Sequence, residues 1–221
     1  MTFYRSPAGL YRSSNLDELG WVEHGFGTRH SLNHQPEPLA TVRQIHSDRW
    51  VLARGTAGCL GQGDALLSDQ SGLFLGVRTA DCVPILIADP ARKAVAAVHA
   101  GWRGAAQGLP VKVVKAMQEN FGSRPELLLA AIGPAICRDC YEVGADVAAL
   151  FEPWLDRPPG TGARAHLDLA EICRRQLLQA GVGADRIAIC GLCTRCRPDE
   201  FFSYRRGDRS GRMLSFIGIR P

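Results

Sequence analysis

Lysine is scarce in this chain: of the 26 basic side chains among 221 residues, 3 are lysine and 23 are arginine. Long apolar runs are missing too. Cys82 to Ala88 spans seven residues and contains Pro84, far short of the roughly 20 that a membrane-spanning helix needs. The first residues, Met1 to Pro7, lack a charged stretch followed by an apolar one, so no secretory signal is expected and cytoplasm is the expected compartment. Internal repeats and low-complexity blocks are absent. What remains is an ordinary globular composition, 46% hydrophobic and 22% charged with 24 Gly, 13 Pro and 8 Cys. That excludes a disordered chain, a collagen-like repeat and a disulfide-rich mini-scaffold. A chain of this size buries roughly 70% of its unfolded surface on folding, enough for a core without covalent staples.

The net charge of +4 is unevenly spread, with seven arginines between Arg195 and Arg220. Guanidinium groups present a planar fork of donors that suits phosphate oxygens. The same stretch carries Asp199, Glu200 and Asp208, so a solvated, charge-balanced face is the competing reading. No aromatic and basic pattern of an RNA-recognition sheet accompanies it, and nucleic acid is not an expected partner.

Met1 to Leu39 reads as polar and turn-rich, with the apolar stretch Trp21 to Phe26 as a candidate edge strand and residues 1–24 as peripheral. Short β-type runs follow at Ala65 to Leu67, Leu73 to Val77, Val83 to Ala88 and Ala94 to Val98. The last two flank Asp89-Pro90-Ala91-Arg92-Lys93, which predicts an antiparallel hairpin. Val83 to Ala88 does not alternate, as expected of a strand covered on both faces. Val111 to Phe121 has helical spacing with Gly122 as its stop, and Val143 to Phe151 can form a short helix. Asp168 and Glu171 stand three apart, as N-cap and N3 residues do, ahead of a helix whose face is Leu169, Ile172, Cys173 and Leu177. Arg186 to Cys190 and Met213 to Ile219 read as final strands. The sum is a single mixed α and β domain over 1–221.

Eight cysteines in a reducing compartment point to metal, catalysis or burial before disulfides. Cys137-x-x-Cys140 and Cys190-x-x-Cys193-x-x-Cys196 have the pairwise spacing of a structural Cys₄ zinc site, with plain burial or an adventitious disulfide as the alternative. A second set, His46, Cys82 and His99, lies at the ends of expected strands. Two imidazoles and one thiolate are the donor type of an open catalytic zinc site, although isolated His and Cys also occur simply packed. Gly101 and Gly104 beside His99 permit close approach of a ligand to the backbone. Asp81 precedes a buried apolar run, where a carboxylate needs a partner or a function.

At these residues the sequence resembles a known family. Gln44-Ile45-His46-Ser47, Gly63-Asp64-Ala65, Thr79-Ala80-Asp81-Cys82-Val83-Pro84, His99-Ala100-Gly101-Trp102-Arg103-Gly104, Ile132-Gly133-Pro134-Ala135-Ile136, Cys140-Tyr141-Glu142-Val143, Cys193-Thr194 and Phe202-Ser203-Tyr204-Arg205-Arg206 with Gly211-Arg212 occur in one order. Together they are similar to the laccase-domain proteins, once called multicopper polyphenol oxidoreductases and now regarded as purine nucleoside phosphorylases. The resemblance implies an α+β fold, a four-layer α-β-β-α sandwich with mixed sheets, and one metal site at His46, Cys82 and His99. It implies zinc, with copper as the other candidate metal, and phosphorolysis of adenosine, inosine, guanosine and methylthioadenosine with inorganic phosphate as co-substrate. Adenosine deamination is the implied side activity. Copper-dependent phenol oxidation and cytoplasmic amidase editing of peptidoglycan precursors are the other activities attached to such proteins. This chain departs from the pattern in a short stretch between Thr28-Arg29 and Gln44, and in Cys137-Arg138-Asp139, so that Cys137 and Cys196 look like local additions.

The expected partner is therefore a small molecule, a purine nucleoside with phosphate, with no membrane and with a homodimer as the candidate assembly. Cys82, His99 and Asp81 are the expected catalytic groups, with Asp81 or Glu142 as the carboxylate that moves protons. Gln44, Arg103, Arg205 and Arg206 are the expected substrate contacts, the arginines as phosphate holders. A salt bridge is the alternative role for Arg103.

Overall fold

The expected hairpin lies at the centre of the molecule. In the computed structural model, which describes residues 2–155 and 164–221, the strands are β1 (Phe3–Arg5), β2 (Tyr11–Ser13), β3 (Val22–Phe26), β4 (Leu39–Arg43), β5 (Trp50–Leu52), β6 (Gly58–Gln62), β7 (Ala65–Ser68), β8 (Phe74–Thr79), β9 (Val83–Asp89), β10 (Ala94–Ala100), β11 (Leu129–Ile132), β12 (Glu142–Val143), β13 (Ala165–His166), β14 (Ile187–Ile189) and β15 (Met213–Ile219). The helices are α1 (Ser14–Asp17), α2 (Trp102–Ala106), α3 (Leu109–Phe121), α4 (Ala145–Ala149) and α5 (Leu169–Gln179). Strands β9 and β10 pair antiparallel from Ala94↔Asp89 to Ala100↔Val83. The Asp89 carboxylate closes the turn by accepting from the backbone N–H groups of Ala91 and Arg92 at 2.8 and 3.1 Å.

Two sheets stack face to face. One has the order β14-β11-β9-β10-β7-β5 and the other β1-β2-β3-β15-β8-β4-β6. Both are mixed: β11 pairs parallel with β14 and β4 pairs parallel with β6 and β8, while the remaining neighbours include antiparallel pairs. The sequence of β9 is apolar throughout because both of its faces are covered. Val83, Ile85 and Ile87 pack with Val113, Val114 and Met117 of α3, whereas Leu86 and Ala88 pack against Leu75 and Ile217 of the opposite sheet. A strand buried on both sides has no polar face to alternate.

Helix α5 starts as its sequence predicts, with the Asp168 carboxylate accepting from the Glu171 N–H at 2.9 Å. Glu171 does not complete a reciprocal box; its carboxylate turns to Arg174 and Arg175. Helix α3 begins two residues earlier than its periodicity suggests, at Leu109, with Pro110 in its first turn. Proline there gives up an N–H that has no partner within a helix anyway.

The mixed α+β sandwich agrees with the expectation, with one difference in its layers. Helices cover the outer face of the six-stranded sheet. On the outer face of the seven-stranded sheet the described residues place irregular chain, with His34 stacked near Phe216 at 6.1 Å between ring centres. The stretch between Thr28 and Gln44 is too short and too rich in Pro36 and Pro38 to add a helix there. Residues 1–24 are also less peripheral than their composition suggests. Strand β1 lies at a sheet edge, but β3, expected at an edge, is flanked by β2 and β15, and Leu16 and Val22 are buried. Asn15 Nδ2 donates 3.0 Å to the carbonyl of Ala130 in the other sheet, tying the segment across the sandwich.

Candidate metal centre and its pocket

Three strand ends meet at one end of the six-stranded sheet: the start of β9, the end of β10 and the start of β7. Cys82 immediately precedes β9, His99 is the penultimate residue of β10, and Asp64 immediately precedes β7. His46 comes from the connection between β4 and β5. The antiparallel register that sets His99 opposite Pro84 brings Cys82 and His99 together although 17 residues separate them. The donor atoms of His46, Cys82 and His99 all lie within 4.8 Å of one another, and the two imidazoles meet edge to face with centres 4.9 Å apart.

Asp64 organises this cluster and is the main group that motif reading did not assign. Its carboxylate accepts from the N–H groups of His46 and Ser47 at 3.0 and 2.6 Å and from the Ser47 hydroxyl at 2.7 Å. It also accepts from His99 Nδ1 at 2.8 Å, so that His99 Nε2 is the nitrogen left for the cluster. His46 itself has φ of +56°, a left-handed conformation uncommon outside glycine, and the hydrogen bonds to Asp64 hold that turn. Gly101 lies close under the three donors. A Cβ at this position would sit 3.0 Å from His46 Cδ2 and 3.2 Å from Cys82 Sγ.

The electrostatics follow from these contacts. Burial pushes the Cys82 thiol up, but hydrogen bonds from His46 and His99 outweigh it and bring the thiol down to about 6. Burial disfavours a charged His99, yet Asp64 and Cys82 raise it to about 9. Asp64 is likewise opposed by burial and held down to about 2 by His99 and Ser47. These contacts favour the thiolate form of Cys82 and the charged form of His99, with the Asp64 carboxylate bracing the ring.

The cluster opens into a cavity of about 630 Å³ lined by Gln44, Arg78, Asp81, Trp102, Arg103, Tyr141, Tyr204, Arg205 and Arg212 among others. Among the described residues no carboxylate pairs with Arg103; its guanidinium rests on the Trp102 ring at 4.3 Å, so the salt-bridge alternative does not hold. Arg205 lies over Tyr141 at 5.2 Å and donates to the Glu142 carbonyl at 2.9 Å. Gln44 lines the cavity, but its amide is spent on both backbone groups of Arg78, at 2.8 Å each.

Two expected assignments need correction. Arg206 is not in this cavity: its guanidinium donates to the carbonyls of Thr194, Arg195 and Phe201 and pairs with Asp208, because it closes the turn that follows Ser203. Glu142 points elsewhere too, its carboxylate paired with Arg164 at 2.5 Å. Asp81 does line the cavity, but Oδ1 accepts from the Thr194 hydroxyl at 2.6 Å and Oδ2 from the Arg205 N–H at 2.7 Å. Through these contacts Asp81, whose φ is +88°, pins two loops to the cavity. Arg78, Tyr141, Tyr204 and Arg212 had no assigned role. The signal for Arg78 was an exposed cation within an otherwise buried strand.

Of the five clustered cysteines, the structure gathers Cys137, Cys140, Cys193 and Cys196, with sulfurs within 4.8 Å of one another. Cys190 stands outside this group.

Comparison with known proteins agrees with the geometry. The family model for multicopper polyphenol oxidoreductase laccase matches residues 22–220. A purine nucleoside phosphorylase from Deinococcus radiodurans is 37% identical over 96% of this chain and 84% of its own length. Adenosine deaminase RL5, from an unknown prokaryotic organism, is 42% identical over 71% of this chain and 61% of its own. The crystal structure of YlmD from Geobacillus stearothermophilus superposes with a TM-score of 0.89 at 29% identity, covering 99% of both chains. A matched span that takes in every strand from β3 to β15 and all three donors of the cluster makes this chain a member of the multicopper polyphenol oxidoreductase laccase family.

Proposed function

We propose that this chain is a zinc-dependent purine nucleoside phosphorylase acting on adenosine, inosine, guanosine and methylthioadenosine, with adenosine deamination as a side activity. The observation that carries the reading is the convergence of His46, Cys82 and His99 at a cavity lined by four arginines, Arg78, Arg103, Arg205 and Arg212. Two imidazoles and a thiol already drawn toward its anion fit a borderline-soft ion with an open position, and Asp64 supplies the carboxylate behind a ligating histidine that such sites use. Zinc held there would supply Lewis-acid polarisation of a substrate oxygen or of water.

The arginines hold phosphate by bidentate, charge-assisted hydrogen bonds and aim one of its oxygens at the ribose anomeric carbon. As that oxygen bonds to carbon, the bond from carbon to the purine nitrogen breaks and the base leaves with the electron pair. Trp102, Tyr141 and Tyr204 offer aromatic surface to the nucleoside. Asp81 keeps the backbone of Arg205 and the Thr194 loop in place.

Phenol oxidation by several coppers has less support. Among the described residues the candidate ligand groups are one His₂Cys set and one Cys₄ set, and a multicopper centre calls for many histidines. The test is incubation of zinc-loaded protein with inosine, with and without phosphate, followed by chromatography. Hypoxanthine and ribose 1-phosphate are expected only with phosphate, and are expected to disappear in His99→Ala. No release from any purine nucleoside would overturn the reading and bring forward the amidase acting on peptidoglycan precursors.

A further inference from the structure

The second sulfur cluster lies outside the site described above and asks for a function of its own. Cys137 and Cys140 bracket a single 3₁₀ turn, Arg138–Cys140, in which the Cys140 N–H returns to the Cys137 carbonyl at 3.1 Å. The Cys193–Cys196 segment is a second tight turn, closed by the Arg197 N–H on the Cys193 carbonyl at 3.2 Å. Each turn brings its two sulfurs to one side. A parallel bridge between Ala135 and Cys193, with Thr194 N–H on the Ala135 carbonyl at 3.0 Å, then sets the two turns against each other. The four sulfurs meet with Cys140 and Cys196 3.3 Å apart.

We infer that Cys137, Cys140, Cys193 and Cys196 form a structural Zn²⁺ site separate from the His46, Cys82 and His99 centre. A tetrahedral ZnS₄ unit with bonds of about 2.3 Å has sulfurs about 3.8 Å from one another, and the spacing here needs only small adjustment to reach it. The Cys193 sulfur accepts from the Cys137 N–H at 3.3 Å, a contact that suits a thiolate at that position, and the intervening positions of the two turns are Arg138 with Asp139 and Thr194 with Arg195. On binding, each thiol still protonated gives its proton to solvent; nothing is oxidised or reduced. The ion would clip the 137–140 turn to the 193–196 turn. It would thereby fix the loop whose Thr194 hydroxyl holds Asp81, and with it the wall of the cavity.

The experiment counts metal in full-length protein made with zinc under reducing conditions. Elemental analysis is expected to find two zinc ions per chain in the unaltered protein and one in the double variant Cys82→Ala, His99→Ala. Cobalt loaded into that double variant is expected to give the intense visible bands and sulfur-to-metal charge transfer of a tetrahedral tetrathiolate, lost on adding Cys196→Ser. If the double variant does not fold, Cys196→Ser in the otherwise unaltered protein decides the matter: it is expected to lose one zinc per chain relative to the unaltered protein, and an unchanged zinc count, or iron in place of that zinc, overturns the assignment. So does a double variant without zinc, whether intact mass shows four free thiols or two disulfides. Because these readouts are metal counts and spectra, a failed phosphorylase assay leaves them unaffected.

Discussion

Asp64 is the single side chain on which the candidate centre depends most. It has 0% exposure and serves His99, His46 and Ser47 at once, so its loss would free an imidazole and relax a left-handed turn together. Asp64→Asn keeps the shape but removes the charge and halves the acceptor capacity. It is expected to weaken zinc binding at the His46, Cys82 and His99 centre by about 10- to 100-fold, the range seen for groups that orient metal-bound histidines. Competition with a chromophoric chelator measures this, and unchanged affinity would show that Asp64 serves folding alone. The donors themselves were legible in the sequence as residue types at strand ends, and their shared identity came with the family resemblance. Asp64 was not legible, although Gly63-Asp64-Ala65 was among the matching blocks. Its function depends on strand β7 running beside β10, a pairing no local spacing records. Arg206 failed for the complementary reason: its charge is visible in sequence, but the four acceptors that consume it are set by the turn around it.

At the scale of elements, the features read most directly from sequence were those made by neighbours along the chain. The β9 and β10 hairpin and the start of α5 each rest on residues within a short window, and both formed where expected. The order β3-β15-β8 could not be read that way, because the last strand inserts between two early ones and only tertiary packing chooses that place. The N-cap offers a clean local test. Asp168→Ala removes the acceptor for the Glu171 N–H and is expected to cost about 1 kcal/mol of stability, measured by urea denaturation. The cost should be small beside the whole because α5 is also held by packing of Ile172, Cys173 and Leu177 in the core. A loss of several kcal/mol would mean that the cap organises more than its own helix.

For the whole molecule, the buried imidazole of His24 links stability to pH. His24 Nε2 accepts from the Ser13 N–H at 2.9 Å, which requires a neutral ring. Burial, helped by the nearby Arg12 charge and only partly opposed by Asp17, brings this histidine from 6.5 down to about 4. The unfolded chain therefore takes up this proton at a higher pH than the folded one does. Between those two values acid favours unfolding, so the contribution is fully present above about pH 6.5 and falls away toward pH 4, by up to about 3 kcal/mol. Urea unfolding at pH 7 and pH 4.5 should show a smaller pH difference in His24→Gln than in the unaltered protein. Equal pH differences would exclude His24 as a source of acid sensitivity.

The place of β15 has a consequence for the birth of the protein. Met213–Ile219 pairs with β3 on one side and β8 on the other, so the seven-stranded sheet stays in two pieces until its final strand has been synthesised. Strand β10, which carries His99, and strands β7 and β9, which Asp64 and Cys82 immediately precede, belong to the other sheet, whose members all lie between Trp50 and Ile189. During translation the half of the sandwich bearing these groups can therefore assemble first, with its inner apolar face still open. Those last residues serve as the keystone that closes it, a late, long-range contact of the kind that makes folding slow and leaves a nascent chain exposed to aggregation.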